Sequence, residues 1–366
     1  MFQAFVFRRD PNASQRRRLE AVRETCRRFY NTLLRQRKDA YELRGVFQNV
    51  VADLDNRHPP RLWSDSKLLP GATPVRYLGV EPPVAPGNGQ PTEGALVTIT
   101  LLNQKGGVGK TSTCHHLAGT LAQLGRRVLL VDNDPQSSLT QGLWGPSVAL
   151  SVDPAETIAA VYSGDSIAER IIKPSGVAGV DLIPGSVRST RHNVPVPEEA
   201  GWDAQTCLRS FLDEVRGQYD LTLIDCPPNL HLCSWAALVA SDWLIVPLQP
   251  EDYGAQGIAE VQDSAARVVA GLNPSLRLLG YLVTMVQPRR TVHQLYEGQL
   301  RSAYGDDVFA ARIPEAAEFV EAVARRLPIA LHKPKGAAAK AVKALAEELL
   351  ARLESRAVAR GNTEAA

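Results

Sequence analysis

The sequence has no apolar run near the roughly 18 residues that a membrane-spanning helix needs. Its start, with charges that follow an apolar patch and with no cleavage-site pattern, does not read as a secretory leader. The five cysteines show neither a C-x-x-C pair nor a paired spacing, so no disulfide framework is indicated. We therefore expect a reduced, cytoplasmic setting. The chain of 366 residues, 44% hydrophobic and 22% charged, is long enough for a buried core.

Net charge is low overall but unevenly distributed. The whole chain carries 41 Lys and Arg against 39 Asp and Glu, a formal net charge of +2. Residues 1–45 alone contain twelve Lys and Arg and five Asp and Glu, so this arm is strongly basic and the remaining chain is mildly acidic.

Composition divides the chain into four segments. Residues 1–45 combine a helical apolar pattern with arginines on the other faces. Residues 46–94 are rich in proline and glycine in their later part and predict a linker that is partly disordered. A domain follows over residues 95–356, with a flexible tail at 357–366.

The domain alternates strand-like and helix-like segments. The strand-like runs are nearly continuous apolar stretches, which is typical of a parallel sheet covered on both faces: LVTITLL, RRVLLVD, VDLIPG, YDLTLID, DWLIVPL and LRLLGYLVTMV. The predicted fold class is α/β, a doubly wound and mostly parallel sheet. A closing helix is expected over about residues 335–356.

The stretch LLNQKGGVGKTS, residues 101–112, predicts a phosphate-binding loop of unusual form. It lies between a strand and a helix, as such a loop requires, but Gln104 replaces the first glycine of the usual pattern and Lys105 is an additional lysine. Glycines allow the backbone N–H groups to approach phosphates, a lysine reaches the β and γ phosphates, and a hydroxyl ligates Mg²⁺. The candidate nucleotide-binding residues are Lys105, Gly106, Gly107, Val108, Gly109, Lys110, Thr111 and Ser112.

The motif KGGVGKT resembles the deviant Walker A motif of the ParA/MinD/Soj family of P-loop ATPases. The segments VLLVDNDPQSSLT, YDLTLIDCPPNL, VPLQPEDYGAQGI and KPKGAAAKAVKALAEEL also resemble that family, so that the resemblance covers about residues 95–353. It implies that Lys105 reaches across a dimer to the nucleotide of the other subunit.

The resemblance also implies a reaction and its residues. It implies slow ATP hydrolysis in a homodimer that closes around ATP, with Mg²⁺, a ParB-like activator and a role in plasmid or chromosome partition. Asp134 would orient the attacking water, and a loop around Pro314 would contact adenine. The implied catalytic residues are Lys105, Lys110 and Asp134, and the implied metal-binding residues are Thr111, Asp132, Asp134 and Asp225.

The DNA-binding surface of the family is only partly matched. Family members bind DNA without sequence preference through arginines, some of them in a segment written IPRNVRLSEA. This chain has IPEAAEFVEA, which places Glu315 and Glu318 where phosphate would be repelled. Arg289 and Arg290 match another basic loop, so both a DNA-binding and a DNA-independent protein are compatible with the sequence. DNA binding would also associate the protein with the nucleoid.

The basic arm resembles the first segment of TnpB/OrfB-type transposon proteins, often labelled helix-turn-helix. Three interpretations stay open: an electrostatic nucleic-acid contact, a partner-binding helix, or the remnant of a fused mobile element. The arm's candidate DNA contacts are Arg16, Arg17, Arg27 and Arg28.

Two other functions compete with DNA partition. One is a cargo-positioning ATPase that binds a protein scaffold, which the two glutamates favour. The other is a MinD-like regulator that cycles on membranes, which would need an amphipathic carboxyl-terminal helix; the tail ESRAVARGNTEAA has no apolar face, so we expect no membrane partner. His115, His116 and Cys226 are expected to have no part in catalysis.

Overall fold

A seven-stranded sheet organises the part of the chain that the computed structural model describes, residues 97–250 and 254–364. The strand order is β3-β4-β2-β5-β1-β6-β7, and all neighbours are parallel except β3 and β4. The strands are β1 Val97–Leu101, β2 Val128–Asp132, β3 Lys173–Val177, β4 Val180–Ile183, β5 Leu221–Asp225, β6 Trp243–Leu248 and β7 Arg277–Val283. The predicted α/β, mostly parallel fold is confirmed.

Helices cover both faces of this sheet. They are α1 Lys110–Gln123, α2 Ser138–Trp144, α3 Pro146–Ser151, α4 Ile158–Ser163, α5 Ala168–Ile171, α6 Trp202–Glu214, α7 Leu232–Ala240, α8 Gly254–Gly271, α9 Thr291–Tyr304, α10 Ala317–Ala324, α11 Ile329–His332 and α12 Ala337–Glu364. Two apolar cores result, one containing α1, α2 and α10–α12 and the other containing α4 and α6–α8. Alternate residues of β2 enter the two cores, Leu129 one and Leu130 the other, which explains the continuous apolar runs.

The carboxyl ends of the central strands lie together. In the parallel register, Asp225 at the end of β5 pairs with Leu101 of β1 and with Asp132 of β2. Ligands of open parallel sheets bind outside the carboxyl ends of the strands, so this edge is where a site is expected.

Helix α1 is held tightly against the segment that contains α11. His116 is 1% exposed, and its Nδ1 accepts a hydrogen bond of 3.1 Å from the main-chain N–H of Ile329. Burial lowers the pKa of His116 to about 3. A Cβ on Gly119 would lie 2.2 Å from Cγ of Pro328, so the close approach of the two segments requires glycine here. His116 therefore contributes to the packing of α1 against this segment.

The structure differs from the sequence prediction at two elements. Strand β3 was not predicted because KPSGV contains proline and glycine; it is accommodated as an antiparallel strand at the end of the strand order, where proline is tolerated. Helix α12 runs to Glu364, beyond the expected end at residue 356 and through most of the predicted tail.

Several sequence predictions cannot be compared with this structure. The basic arm 1–45 and the linker 46–94 lie outside the described residues.

Within residues 97–250 and 254–364, no helix is long and apolar enough to cross a bilayer.

Candidate functional site

The phosphate-type loop lies at the carboxyl end of β1 and leads directly into α1. Gly107 and Gly109 have φ of 78° and 83°, a left-handed conformation in which glycine avoids the strain that a side chain would impose. Gly106 and Gly107 are exposed, whereas Val108 is buried and anchors the loop. The glycines therefore present backbone to solvent at the start of a fourteen-residue helix, where N–H groups favour an anion.

Lys110 is a buried lysine whose ammonium is held by the loop itself. It is 6% exposed, and its Nζ donates hydrogen bonds to the main-chain oxygens of Asn103 at 2.9 Å and Lys105 at 3.2 Å. Burial lowers its pKa, while the carboxylates of Asp225 and Asp134 oppose that shift. The Nζ of Lys110 is thus held inside the loop by main-chain oxygens, in electrostatic contact with Asp225 and Asp134.

Lys105 is partly exposed and lies at the outer part of the same loop. Its main-chain N–H donates a hydrogen bond of 2.8 Å to Oδ1 of Asn103. The two lysines therefore occupy different positions, one inside the loop and one at its surface.

Asp225 is the carboxylate whose environment most strongly indicates a cation. The residue is fully buried, and neither carboxylate oxygen has a hydrogen-bond partner among the described residues. Burial and then the neighbouring Asp132 raise its pKa well above the usual range. The Thr111 hydroxyl opposes this shift, although it makes no hydrogen bond of ordinary geometry with either oxygen. An unpaired buried carboxylate beside a hydroxyl fits a hard divalent cation such as Mg²⁺, which prefers oxygen ligands.

One carboxylate oxygen of Asp132 is hydrogen-bonded within the protein. Its Oδ2 accepts hydrogen bonds from the main-chain N–H of Thr140 at 2.7 Å and from its hydroxyl at 2.6 Å. The Thr140 hydroxyl also accepts a hydrogen bond of 2.8 Å from the N–H of Gly185. Burial raises the pKa of Asp132 to about 7. The other oxygen, Oδ1, is buried and has no partner within the described part of the chain, so it is the one that remains for a cation or its water.

Asp134 follows β2 and faces the loop. Its Oδ1 accepts a hydrogen bond of 2.9 Å from the N–H of Gln136, and the residue is 8% exposed. Burial raises its pKa, opposed by that hydrogen bond and by the charge of Lys110. A nearly buried carboxylate near the loop lysine is chemically suited to orient a water molecule.

No group of three or more His, Cys, Asp or Glu side chains that could hold a metal occurs in the described ranges. This is compatible with Mg²⁺, which usually keeps several waters and takes one or two protein carboxylates together with phosphate oxygens.

The predicted adenine-contacting residue Pro314 is brought to the neighbourhood of the loop. It forms a parallel bridge with Val286, just beyond β7. Thr284, two residues before Val286, donates a hydrogen bond of 2.8 Å from its hydroxyl to the main-chain oxygen of Val108. A Cβ on Gly109 would lie 3.9 Å from Cε of Met285. Ser112, also predicted, lies half-buried in the first turn of α1.

Three side chains that support the loop were not predicted from the sequence: Asn103, Gln249 and Thr284. Gln249 donates a hydrogen bond of 3.0 Å from Nε2 to the main-chain oxygen of Gly107. Asn103 and Gln249 stand inside the motif segments LLNQKGG and VPLQPEDY, and an uncharged polar residue within two positions of the end of a buried strand was the available signal.

The candidate DNA-binding residues of the domain lie on a surface of mixed charge. Arg289 and Arg290 are exposed immediately before α9. Nε2 of Gln287 donates a hydrogen bond to the carboxylate of Glu315, so that glutamate lies near the same loop. Glu318 is half-buried in the first turn of α10, where a negative charge is favourable. Arg16, Arg17, Arg27 and Arg28 lie outside the described residues.

A glycine-rich loop between a strand and a helix, with a buried lysine and a buried aspartate on the neighbouring strand, defines a P-loop nucleotide-binding protein. A family profile described as "AAA domain" matches residues 96–278, and one described as "Helix-turn-helix domain", of the OrfB/IS605 type, matches residues 1–45. The second match confirms the resemblance of the basic arm.

Individual relatives specify the family. The "Chromosome-partitioning ATPase Soj" of Thermus thermophilus is 41% identical over 256 residues, 70% of this chain and 96% of the relative. The "Sporulation initiation inhibitor protein Soj" of Bacillus subtilis is 33% identical over 261 residues, 70% of this chain and 99% of the relative. Cobyrinic acid a,c-diamide synthase from Mycobacterium smegmatis, solved with an ATP analog and magnesium, has a TM-score of 0.60 at 28% identity, covering 71% of this chain and 96% of that one. The chain belongs to the ParA/Soj family of P-loop ATPases.

Proposed function

We propose that this protein is a Mg²⁺-dependent ATPase that forms a homodimer around ATP and acts in plasmid or chromosome partition. The observation that carries the proposal is the pair of lysines on one phosphate loop, Lys110 inside it and Lys105 at its surface, beside the unpaired carboxylate of Asp225. The relative named as a chromosome-partitioning ATPase supports the biological role.

Each residue has a task in this proposal. Backbone N–H groups of the loop and Lys110 bind the β and γ phosphates, and Mg²⁺ is held through Thr111 and Asp225, with Asp132 binding one of its waters. Asp134 orients the attacking water. Lys105 neutralises charge on the nucleotide of the partner subunit. Charge stabilisation and water positioning carry such a reaction without a covalent intermediate.

The dimer would work as a timer. ATP closes it, hydrolysis opens it, and a ParB-like protein accelerates the step, in the cytoplasm and in association with the nucleoid. Hydrolysis without the activator is then slow, because the site alone does not complete the positioning of water.

The first experiment measures ATP turnover and oligomeric state on the full chain. We expect hydrolysis with Mg²⁺ and none with EDTA, and a shift from monomer to dimer with a non-hydrolysable ATP analogue in light scattering. Lys110→Ala should lose nucleotide binding, whereas Lys105→Ala should bind nucleotide but form a much weaker dimer than wild type. Lys173→Ala, on the edge strand and paired with Glu156, is the matched lysine control and should behave as wild type. A Lys105→Ala variant that dimerises as tightly as wild type would contradict the proposal.

A second candidate function is positioning of a protein cargo without DNA. It is favoured by the hydrogen bond from Gln287 to Glu315, which keeps a carboxylate near Arg289 and Arg290. Phosphate contacts at this surface are weakened by that charge.

DNA co-sedimentation at one stated salt concentration separates the two functions. The full chain is compared with an Arg289→Ala/Arg290→Ala variant and with a variant in which Arg16, Arg17, Arg27 and Arg28 are alanine, each with ATP, with ADP and without nucleotide. ATP-dependent binding that the domain variant loses supports partition through the ATPase body. Nucleotide-independent binding that only the arm variant loses assigns the contact to the arm. No binding by the wild-type chain leaves the protein-scaffold function.

A further inference from the structure

Asn103 connects the phosphate loop to the neighbouring strand. It stands two residues beyond the end of β1 and is 2% exposed. Its Nδ2 donates a hydrogen bond of 2.7 Å to the main-chain oxygen of Pro247 in β6, and its Oδ1 accepts one of 2.8 Å from the N–H of Lys105. Both ends of the amide are therefore used, one on the sheet and one on the loop.

These hydrogen bonds fix the position from which Lys105 leaves the backbone. An amide side chain is planar, so a donor fixed on β6 determines where its oxygen can receive the Lys105 N–H. Helix α8 leaves little room for another arrangement, since a Cβ on Gly257 would lie 3.3 Å from Oδ1 of Asn103. The position of the turn that carries Lys105 is thus fixed relative to β6 through the Asn103 amide.

The same turn also holds the other lysine, but through different atoms. The ammonium of Lys110 is bound by the main-chain oxygens of Asn103 and Lys105, which no side-chain substitution at position 103 removes. The side chain of Asn103 can therefore be changed while the main-chain oxygens that bind Lys110, and with it the nucleotide site of the same subunit, are kept.

We propose that Asn103 is a positioning residue for Lys105, which sets the direction in which that lysine is presented to the nucleotide of the partner subunit. The inference rests on the proposed ATP-dependent dimer. It assigns to the side-chain amide a function in the contact between subunits and none in the binding of nucleotide by its own subunit. Without the hydrogen bond to Asn103, the turn that carries Lys105 would sample several directions. A displacement of about 1 Å is enough for a contact group to lose most of its effect.

The test measures two quantities on the full chain, the affinity for ADP by fluorescence and the dimer dissociation constant with a non-hydrolysable ATP analogue by analytical ultracentrifugation. For Asn103→Ala we expect an ADP affinity within about threefold of wild type and a dimer at least about tenfold weaker, the equivalent of losing one well-placed hydrogen bond. Asn103→Ser should be intermediate, because its hydroxyl can still accept the Lys105 N–H in a local turn but cannot reach Pro247.

Two further variants distinguish positioning from general support of the fold. In the Lys105→Ala background, Asn103→Ala should weaken the dimer no further, since residues that act through one another are not additive. The matched control is Asn273→Ala. Asn273 is likewise buried and donates hydrogen bonds to the main-chain oxygens of Leu238, Val239 and Ser241. It precedes β7 and therefore lies at the amino ends of the parallel strands, opposite to the phosphate loop. It should lower the melting temperature without the selective loss of dimer.

The outcomes separate this inference from the proposed function. If wild type dimerises and Asn103→Ala dimerises equally well, or loses ADP and dimer affinity in parallel, the positioning role is overturned and the proposed function stands. If Asn103→Ala does not fold, the Asn103→Ser variant decides by the same two measurements. If wild type does not dimerise with the ATP analogue, the proposed function fails, and this inference fails with it.

Discussion

Replacing Asp225 by asparagine tests whether its carboxylate is kept unpaired for a cation. In wild type both oxygens are buried without a hydrogen-bond partner among the residues that the structure describes, and burial raises the pKa of the carboxyl well above its usual range. A buried unsatisfied polar group costs about 1–3 kcal/mol, and more when it is charged. We therefore expect Asp225→Asn to be more stable than wild type when Mg²⁺ and nucleotide are absent, although it removes a carboxylate from the proposed nucleotide site.

The neighbouring lysine limits the size of this gain. Asp225 is the largest favourable charge for Lys110, which the variant would lose, but the ammonium keeps its hydrogen bonds to the main-chain oxygens of Asn103 and Lys105. We expect a net gain of about 1 kcal/mol, because Lys110 loses this charge and the asparagine amide is itself buried and polar. At about 2–4 °C per kcal/mol for a domain of this size, the melting temperature should rise by roughly 2–4 °C.

The dependence on pH has a definite sign. Because the pKa of Asp225 is higher in the folded than in the unfolded chain, the folded protein binds this proton more tightly, and wild-type stability falls as pH rises between the two pKa values. The advantage of Asp225→Asn should therefore be larger at pH 8 than at pH 5.

Differential scanning fluorimetry in EDTA, and then with MgATP, measures both effects. With MgATP the order should reverse, because the cation pairs the wild-type carboxylate and stabilises only that protein. The matched control is Asp213→Asn, an exposed aspartate paired with Arg216, whose change should stay within about 0.5 kcal/mol. An Asp225→Asn variant that melts below wild type in EDTA would refute the reasoning.

Three further changes test other parts of the structure. Gly119→Ala should destabilise the protein by about 1–3 kcal/mol in urea unfolding, because its Cβ would overlap Pro328. The control Gly298→Ala lies in a helix with no described atom within 4 Å of the new Cβ, so it should be neutral or stabilising. Equal effects of the two substitutions would contradict the close approach of α1 to Pro328. His116 has a folded pKa of about 3, below its unfolded value, so its stabilising contribution is present above about pH 6.5 and is lost as pH falls. The contribution of His116 to the free energy of unfolding should drop by about 2 kcal/mol between pH 7 and pH 5. A His116→Gln variant whose stability depends on pH as steeply as that of wild type would exclude this histidine as the cause. Glu315→Lys should strengthen DNA binding with ATP and steepen its salt dependence, measured by fluorescence anisotropy at several salt concentrations; an unchanged slope would place the DNA contact elsewhere.

The features that the sequence predicted well are those specified by local residues. The central strands are buried along their whole length and largely apolar because both faces are covered, and such runs are visible without a structure. The phosphate loop was equally readable, since glycines, lysine and hydroxyl stand at fixed spacing between a strand and a helix.

The features that escaped prediction depend on contacts between distant segments. Asp132 resembles a metal ligand in sequence, yet its Oδ2 is bound by Thr140, which depends on how α2 begins and packs. Strand β3 forms because β4 offers it an edge, although Pro174 and Gly176 disfavour a strand locally. No spacing rule indicates either arrangement.

The contacts of the loop explain how one short segment can do two things. Lys110 is buried and bound through main-chain oxygens, so its position follows from the path of the backbone and tolerates changes of neighbouring side chains. Lys105 is partly exposed, and its backbone N–H is bound by the Asn103 side chain, which is tied in turn to the oxygen of Pro247. Binding within one subunit therefore depends on loop conformation, whereas presentation to a second subunit depends on one amide. Variants of that amide should uncouple the two steps, which variants of the loop glycines cannot do, because Gly107 and Gly109 set the backbone path that both lysines share.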